Sequence, residues 1–257
     1  MIRFARLFGV SWAFNMKQLT RSGLFIFTSL IEPLIFATMA YYLFKAGHRP
    51  GTLLYASLSA GLMGIWTSTL FGSGGVISWQ RWQGTLEPLV AAPPPMILIL
   101  FPLTIATATI GLYSLAGTLL WGRIVFGIPL TLVHPFWFVI TIPVTIVALG
   151  ALGLVIGSSF ILYRNANALA NMLEFPVWLV TGAIVPLSLL PGWVHYLSWV
   201  LAPTWGFRAV RAAAFGGDPL PALGMCVVLG IAYLAIGQVF IQVFETRARE
   251  RAALSLV

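Results

Sequence analysis

Apolar runs long enough to cross a lipid bilayer recur along this chain, and little sequence lies between them. A hydrocarbon core of about 30 Å takes roughly 20 helical residues. Runs of that order begin near residues 24, 53, 96, 136, 169 and 222. They are punctuated by Gly and Pro, not by the strict alternation of a barrel strand, so helices are expected. Hydrophobic residues make up 60% of 257 positions and charged ones 8%. A soluble domain carries about 25% charged residues, so a water-facing surface could not be built from this composition.

The expected fold is an all-α integral membrane protein with six transmembrane helices. The spans are read as 24–44, 53–73, 96–122, 136–160, 169–187 and 222–243. Residues 2–20 are not a span. Ile2, Leu7, Val10, Phe14 and Leu19 recur at helical spacing with Arg3, Arg6, Trp12 and Lys17 between them, which predicts an amphipathic helix on the membrane surface. The first span follows a polar, basic lead and is too long for a signal-peptide core, so it is read as uncleaved. Pro33 lies inside it and is expected to kink it. Pro176 is expected to interrupt the fifth span. The region 188–212, broken by Pro191, Gly192, Pro203 and Gly206, is expected to form short helices dipping into the membrane, with Arg208 and Arg211 closing it.

The net charge of +8 comes mostly from chain ends and short loops. It fits membrane orientation and anionic lipid, and nucleic acid is not expected as a partner. With the N-terminus in the cytoplasm, inner segments hold Arg3, Arg6, Lys17, Arg21, Arg81, Arg164, Arg247, Arg249 and Arg251. The outer segments hold Lys45, Arg49, Arg123, Arg208 and Arg211. Nine against five predicts both termini on the cytoplasmic side.

Enzymatic chemistry has no visible carrier. The only lysines, Lys17 and Lys45, follow no glycine-rich loop, and Gly72-Ser-Gly-Gly75 has no lysine to complete a phosphate cradle. His48, His134 and His195 are scattered, and one cysteine, Cys226, makes no thiolate cluster, so no metal site is expected. The chain therefore supplies a path or an anchor without an energy source. Two acidic residues, Glu32 and Glu174, fall inside apolar runs, where a charge is expensive. Either they line a path, pair with a basic substrate group or take up a proton, or they sit near an interface bonded to Arg21 or Arg164.

The most polar internal segment runs from Ser78 to Pro95 and is long enough for a short surface helix ended by Pro93, Pro94 and Pro95. Within it, Gly84-Thr85-Leu86-Glu87 with Pro93 downstream resembles the cytoplasmic loop of the ABC-2 type permeases, the membrane subunits of bacterial ABC exporters. That family usually has more charge before the glycine; here the residues are Trp79, Gln80, Arg81, Trp82 and Gln83. A second likeness lies in Pro186-Leu-Ser-Leu-Leu-Pro191-Gly-Trp, Leu201-Ala-Pro203-Thr, Arg208-Ala-Val-Arg211 and Gly216-Gly217, which is similar to the family's outward-side re-entrant region.

The resemblance implies a single ABC-2 type transmembrane domain over 1–257, arranged like a type V exporter. Residues 2–20 would be its connecting helix, 78–92 its coupling helix and 188–212 its re-entrant helices. Two copies of a cytoplasmic ABC ATPase would bind ATP and Mg; no cofactor is expected in this chain. Arg81, Trp82, Gly84, Thr85, Leu86 and Glu87 would couple to that ATPase, with Arg3, Arg6 and Lys17 as further contacts. A second permease, the same chain or a homologue, would complete a pathway in the bacterial inner membrane for a small amphipathic or lipidic substrate. The rival readings are a secondary transporter or channel driven by an ion gradient through essential buried carboxylates, and a membrane assembly subunit that moves nothing.

Overall fold

The computed structural model describes residues 2–46, 53–82, 84, 95–160, 166–183 and 187–251. Regular structure among them is entirely helical. The long helices are α1 (Ile2–Arg21), α2 (Gly23–Ala46), α3 (Leu53–Trp82), α4 (Ile97–Phe126), α5 (Pro135–Phe160) and α6 (Ala166–Val180). A short turn of 3-10 helix, Leu187–Leu189, precedes α7 (Gly192–Val200), α8 (Ala202–Phe215) and α9 (Leu220–Arg251). Four of these are long and apolar enough to cross a membrane: Leu53–Gly74, Ile97–Phe126, Pro135–Ser158 and Leu220–Val243.

The centre of the bundle is the α3–α4 pair, packed through small residues. A Cβ on Gly111 would stand 2.5 Å from the Cα of Ile65, and one on Gly64 would stand 2.4 Å from the Cβ of Ser114. Such spacing is possible only because neither glycine has a side chain, and it lets dispersion contacts replace the hydrophobic drive that lipid does not supply. Around this pair lie Leu58, Leu62, Ile65, Trp66 and Leu115, all buried. α2 packs on α3 and α4 together, its Pro33 directly against Gly64. Its backbone is helical through Pro33 because the Ser114 hydroxyl of α4 donates to the Ser29 carbonyl, the acceptor that a proline four residues later leaves without an amide. α6 likewise runs unbroken through Pro176 and stops at Val180, short of the expected 187, in a turn containing Gly182.

Two further elements differ from the sequence expectation. α1 is one amphipathic helix, but its apolar residues are shared between two surroundings. Phe8 and Trp12 pack against α4, with Trp12 Nε1 donating to Thr109 Oγ1 at 3.4 Å, while Val10 and Phe14 are exposed. α8 begins inside the region 188–212 expected to form short helices but runs past it to Phe215, and it is deeply packed: Phe207, Ala209, Val210, Ala213 and Ala214 are fully buried. It packs on α5 and α9, where Gly206 admits Thr145. α7 is the opposite, a short helix presenting Trp193, Tyr196, Leu197 and Trp199 outward.

Candidate functional site

α3 continues past its apolar stretch to Trp82, so residues 78–82 are its last turns and do not begin a separate helix. It stops because Gly84 takes φ +66°, a left-handed conformation that L side chains avoid, and Gly84 is exposed with open space around it. Arg81 and Trp82 close the helix by their backbones. Thr85, Leu86 and Glu87 lie outside the described residues, as does Arg164. At thirty residues, α3 is about 45 Å long. It is therefore a single rod from the bundle's far end to the segment singled out from sequence. Of the other proposed contacts, Arg6 and Lys17 are exposed on α1, and Arg3 belongs to the same helix.

Glu32 and Glu174, 142 positions apart in sequence, stand on helices that meet one turn beyond each of them, where Phe36 packs against Trp178. Glu174 is only 4% exposed, and its Oε1 accepts a hydrogen bond from Thr67 Oγ1 of α3 at 2.8 Å. Neither acid has a basic partner among the described residues, so of the two alternatives the bond to Arg21 is not formed, and Arg164 lies outside those residues. Between them sits an aromatic group. Trp178, one turn beyond Glu174, meets the edges of Phe36 and Phe175 at ring-centre distances of 5.1 and 5.0 Å. The Trp178 indole N–H is buried without an acceptor among the described residues. Glu32 opens into a groove of about 260 Å³ lined by Phe27, Ile31, Ile35 and Phe36. A second groove of about 330 Å³ continues it along α2 past Thr38 and Met39 to Trp121. The face of α2 thus offers an apolar channel marked by one carboxylate, with a second on the neighbouring α6.

Sequence reasoning missed a third feature. Arg211 of α8 is not a loop charge. Its Nη1 donates to Gly182 O at 2.7 Å, its Nη2 to Ser59 Oγ at 2.9 Å and Ala183 O at 3.1 Å, and its Cζ lies 4.4 Å from the Tyr55 ring centre. The available signal was the alanine-rich spacing around it, Ala209, Ala212, Ala213 and Ala214, which describes a helix with a buried face. Arg208, also on α8, is half-buried with its Cζ 5.1 Å from the Trp205 ring centre.

No group of His, Cys, Asp or Glu among the described residues could hold a metal ion. Cys226 is a free, buried thiol. The geometry therefore offers a rod leading to a polar segment, a half-buried acid in an apolar groove with a second, buried acid on a neighbouring helix, and a guanidinium joint, without a nucleophile or phosphate cradle in the described parts.

A search of curated proteins finds no match. The family model for the ABC-2 type transporter matches residues 6–215, from α1 to the end of α8. That match covers most of the chain, so this chain belongs to the ABC-2 type transporter family and is a multi-pass membrane permease that is not itself catalytic.

Proposed function

We propose that the chain is the permease subunit of an ABC exporter, forming with a second permease the path for an amphipathic or hydrophobic substrate while a separate cytoplasmic ATPase hydrolyses ATP. In this reading α2 and α6 cross the bacterial inner membrane along with the four longer spans, making six, and both termini are cytoplasmic. Moving Arg211 from the outer loops into the bundle leaves nine inner basic residues against four outer ones, which favours that orientation further.

The observation that carries the reading is the continuity of α3. Its first 22 residues are packed into the bundle, and the same helix runs on to Arg81 and Trp82. A partner that grips the segment 81–87 therefore holds a rigid lever into the core. ATP binding closes such a partner and shifts the bundle's population between closed and open states. Arg81 and Glu87 are the residues suited to charge-assisted contact with it, and Arg3, Arg6 and Lys17 of α1 add a basic flank at the same partner.

The second permease sits on the outer face of α2. Phe27, Ile31, Ile35, Met39 and Tyr42 alone would be content in lipid, but Glu32 among them would not. A second copy covering this face encloses the channel and both carboxylates between two permeases, where a path for a large apolar substrate has room.

The test is purification of the tagged chain from its native membrane in mild detergent, followed by identification of what comes with it and an ATPase assay. A stoichiometric ATPase, lost or uncoupled in Arg81→Ala and Glu87→Ala, is expected. A chain that travels alone, with no turnover, would overturn the reading.

A further inference from the structure

We propose that Arg211 is a latch: it fastens the end of α6 to α3 and α8 at the end of the bundle remote from Trp82, and its release lets that end open.

The argument begins with charge. Arg211 is a half-buried residue whose guanidinium Nε is enclosed, and it has no carboxylate partner among the described residues. Its counter-charge is the pair of carbonyls of Gly182 and Ala183, just beyond the last turn of α6. That turn lies at the C-terminal end of α6, where the helix dipole places partial negative charge, so a cation is well placed there; carbonyls of the last helical turn are taken by the turn's own amides, from Thr181 to Val177, Gly182 to Leu179 and Ala183 to Trp178. A carboxylate would fix the arginine to one side chain. A helix end holds it only while that helix stays in place.

Position makes the contact more than a local cap. α8 otherwise belongs with α5 and α9: Gly206 admits Thr145 of α5, and the amides of Val133 and His134 donate to the carbonyls of Ala214 and Ala213. The Tyr233 hydroxyl of α9 donates to the Val200 carbonyl just before α8. Ser59, Tyr55, Gly182 and Ala183 lie on α3 and at the end of α6. Arg211, beside the Tyr55–Phe215 ring contact, is therefore the polar joint between α8 and α3 at this end, whereas Gly150 and Gly153 pack α5 directly on α4 and on α3 at Thr69 and Ser73, farther along that helix. Arg211 reaches the first and second turns of α3, and Ser59 stands about 33 Å along that rod from Arg81. A displacement delivered at one end of α3 is felt at the other as strain on these three hydrogen bonds and the tyrosine contact.

Thr181, 1% exposed beside the joint, supplies a reporter. Cys226, fully buried on α9 and the chain's one cysteine, supplies a control in the part that should not move. The chain is placed in lipid nanodiscs and its thiol modified with a membrane-impermeant maleimide. Thr181→Cys in a Cys226→Ala background is compared with the native Cys226, each with and without Arg211→Lys or Ser59→Ala. Removing bonds to a charged group is expected to raise labelling at position 181 about tenfold in Arg211→Lys and severalfold in Ser59→Ala. Cys226 labelling should stay within about twofold. Equal gains at both cysteines would mean general loosening and overturn the latch, as would protection at position 181 in both variants. Should Arg211→Lys fail to insert, Ser59→Ala decides.

The use of the latch in transport rests on the exporter reading. With the ATPase bound, a non-hydrolysable ATP analogue should raise labelling at position 181 in the otherwise native chain. A complex that hydrolyses ATP but leaves that labelling unchanged overturns the latch's part in the cycle. Failure to find any ATPase counts against the exporter reading, and the lone-chain comparison still decides the latch.

Discussion

A carboxylate buried as deeply as Glu174 is costly unless its oxygens are bonded. Thr67 supplies one such bond, and the two substitutions that probe it should behave oppositely. Thr67→Val keeps the shape but strips the donor, and is expected to cost about 1–3 kcal/mol. Glu174→Gln keeps an oxygen that accepts from Thr67 and removes the charge, so its melting temperature should equal or exceed that of the native chain. Tryptophan fluorescence on heating in detergent reads both, since the chain has ten tryptophans. If Glu174→Gln fell as far as Thr67→Val, charge and not the hydrogen bond would be holding the site. If Glu174 meets substrate, Glu174→Gln should lower transport while that stability holds. From sequence, both acids were legible because an acidic residue inside an apolar run has no ordinary explanation. Thr67 was not, because a threonine 107 positions away carries no mark of its partner. Arg211 was misread for a related reason. Arginines before Gly216-Gly217 look like the edge of a loop, and only tertiary packing of α8 turns one of them inward.

Spans are the most legible elements, since burial in lipid depends on composition and length more than on pairing. Their ends are less so. α3 passes its last apolar residue and continues to Trp82, because nothing in Ser78–Trp82 opposes a helix until Gly84 takes its positive φ. α6 stops early, at a turn through Gly182 that the apolar run from 169 to 187 does not announce. Pro33 and Pro176 both remain inside helices, the second against the expected interruption; at Pro33 the Ser114 hydroxyl donates to the Ser29 carbonyl that the missing amide leaves. Helix pairing was visible only as a surplus of glycines, and the structure distinguishes those that matter. In Gly111→Ala the added carbon would lie 2.5 Å from the backbone of Ile65, so α3 and α4 must separate. Overpacking of this kind costs about 1–3 kcal/mol and outweighs the gain in helix propensity of about 1 kcal/mol. Gly224 on α9 has open space, and Gly224→Ala should be neutral or stabilising. Thermal unfolding of the two variants side by side checks the ordering. Equal effects would show that the close α3–α4 approach contributes little.

The molecule as a whole presents two kinds of apolar exterior. α9 exposes Val227, Val228, Ile231 and Val239, and its groove against α5, about 280 Å³ beside Pro143 and Leu234, is lined only by apolar side chains and Gly230. Lipid tails satisfy such a surface without further requirement. α2 exposes an equally apolar row, but Glu32 interrupts it, and the pairing of two permeases is expected there and not at α9. A single cysteine at each face separates the two in native membranes. Ile35→Cys, at a residue 54% exposed beside Glu32, and Val228→Cys, at one 58% exposed on α9, are each placed in a Cys226→Ala background. Oxidation should link Ile35→Cys into a dimer and leave Val228→Cys monomeric. Diffusing encounters between monomers would link both alike, since the two positions are about equally open. A dimer formed only from Val228→Cys would move the pathway to α9 and leave Glu32 facing lipid. The physical reason to expect otherwise is that a carboxylate at membrane depth demands company from protein, from water held between subunits or from a polar substrate group, and the second permease is the arrangement that brings all three to α2.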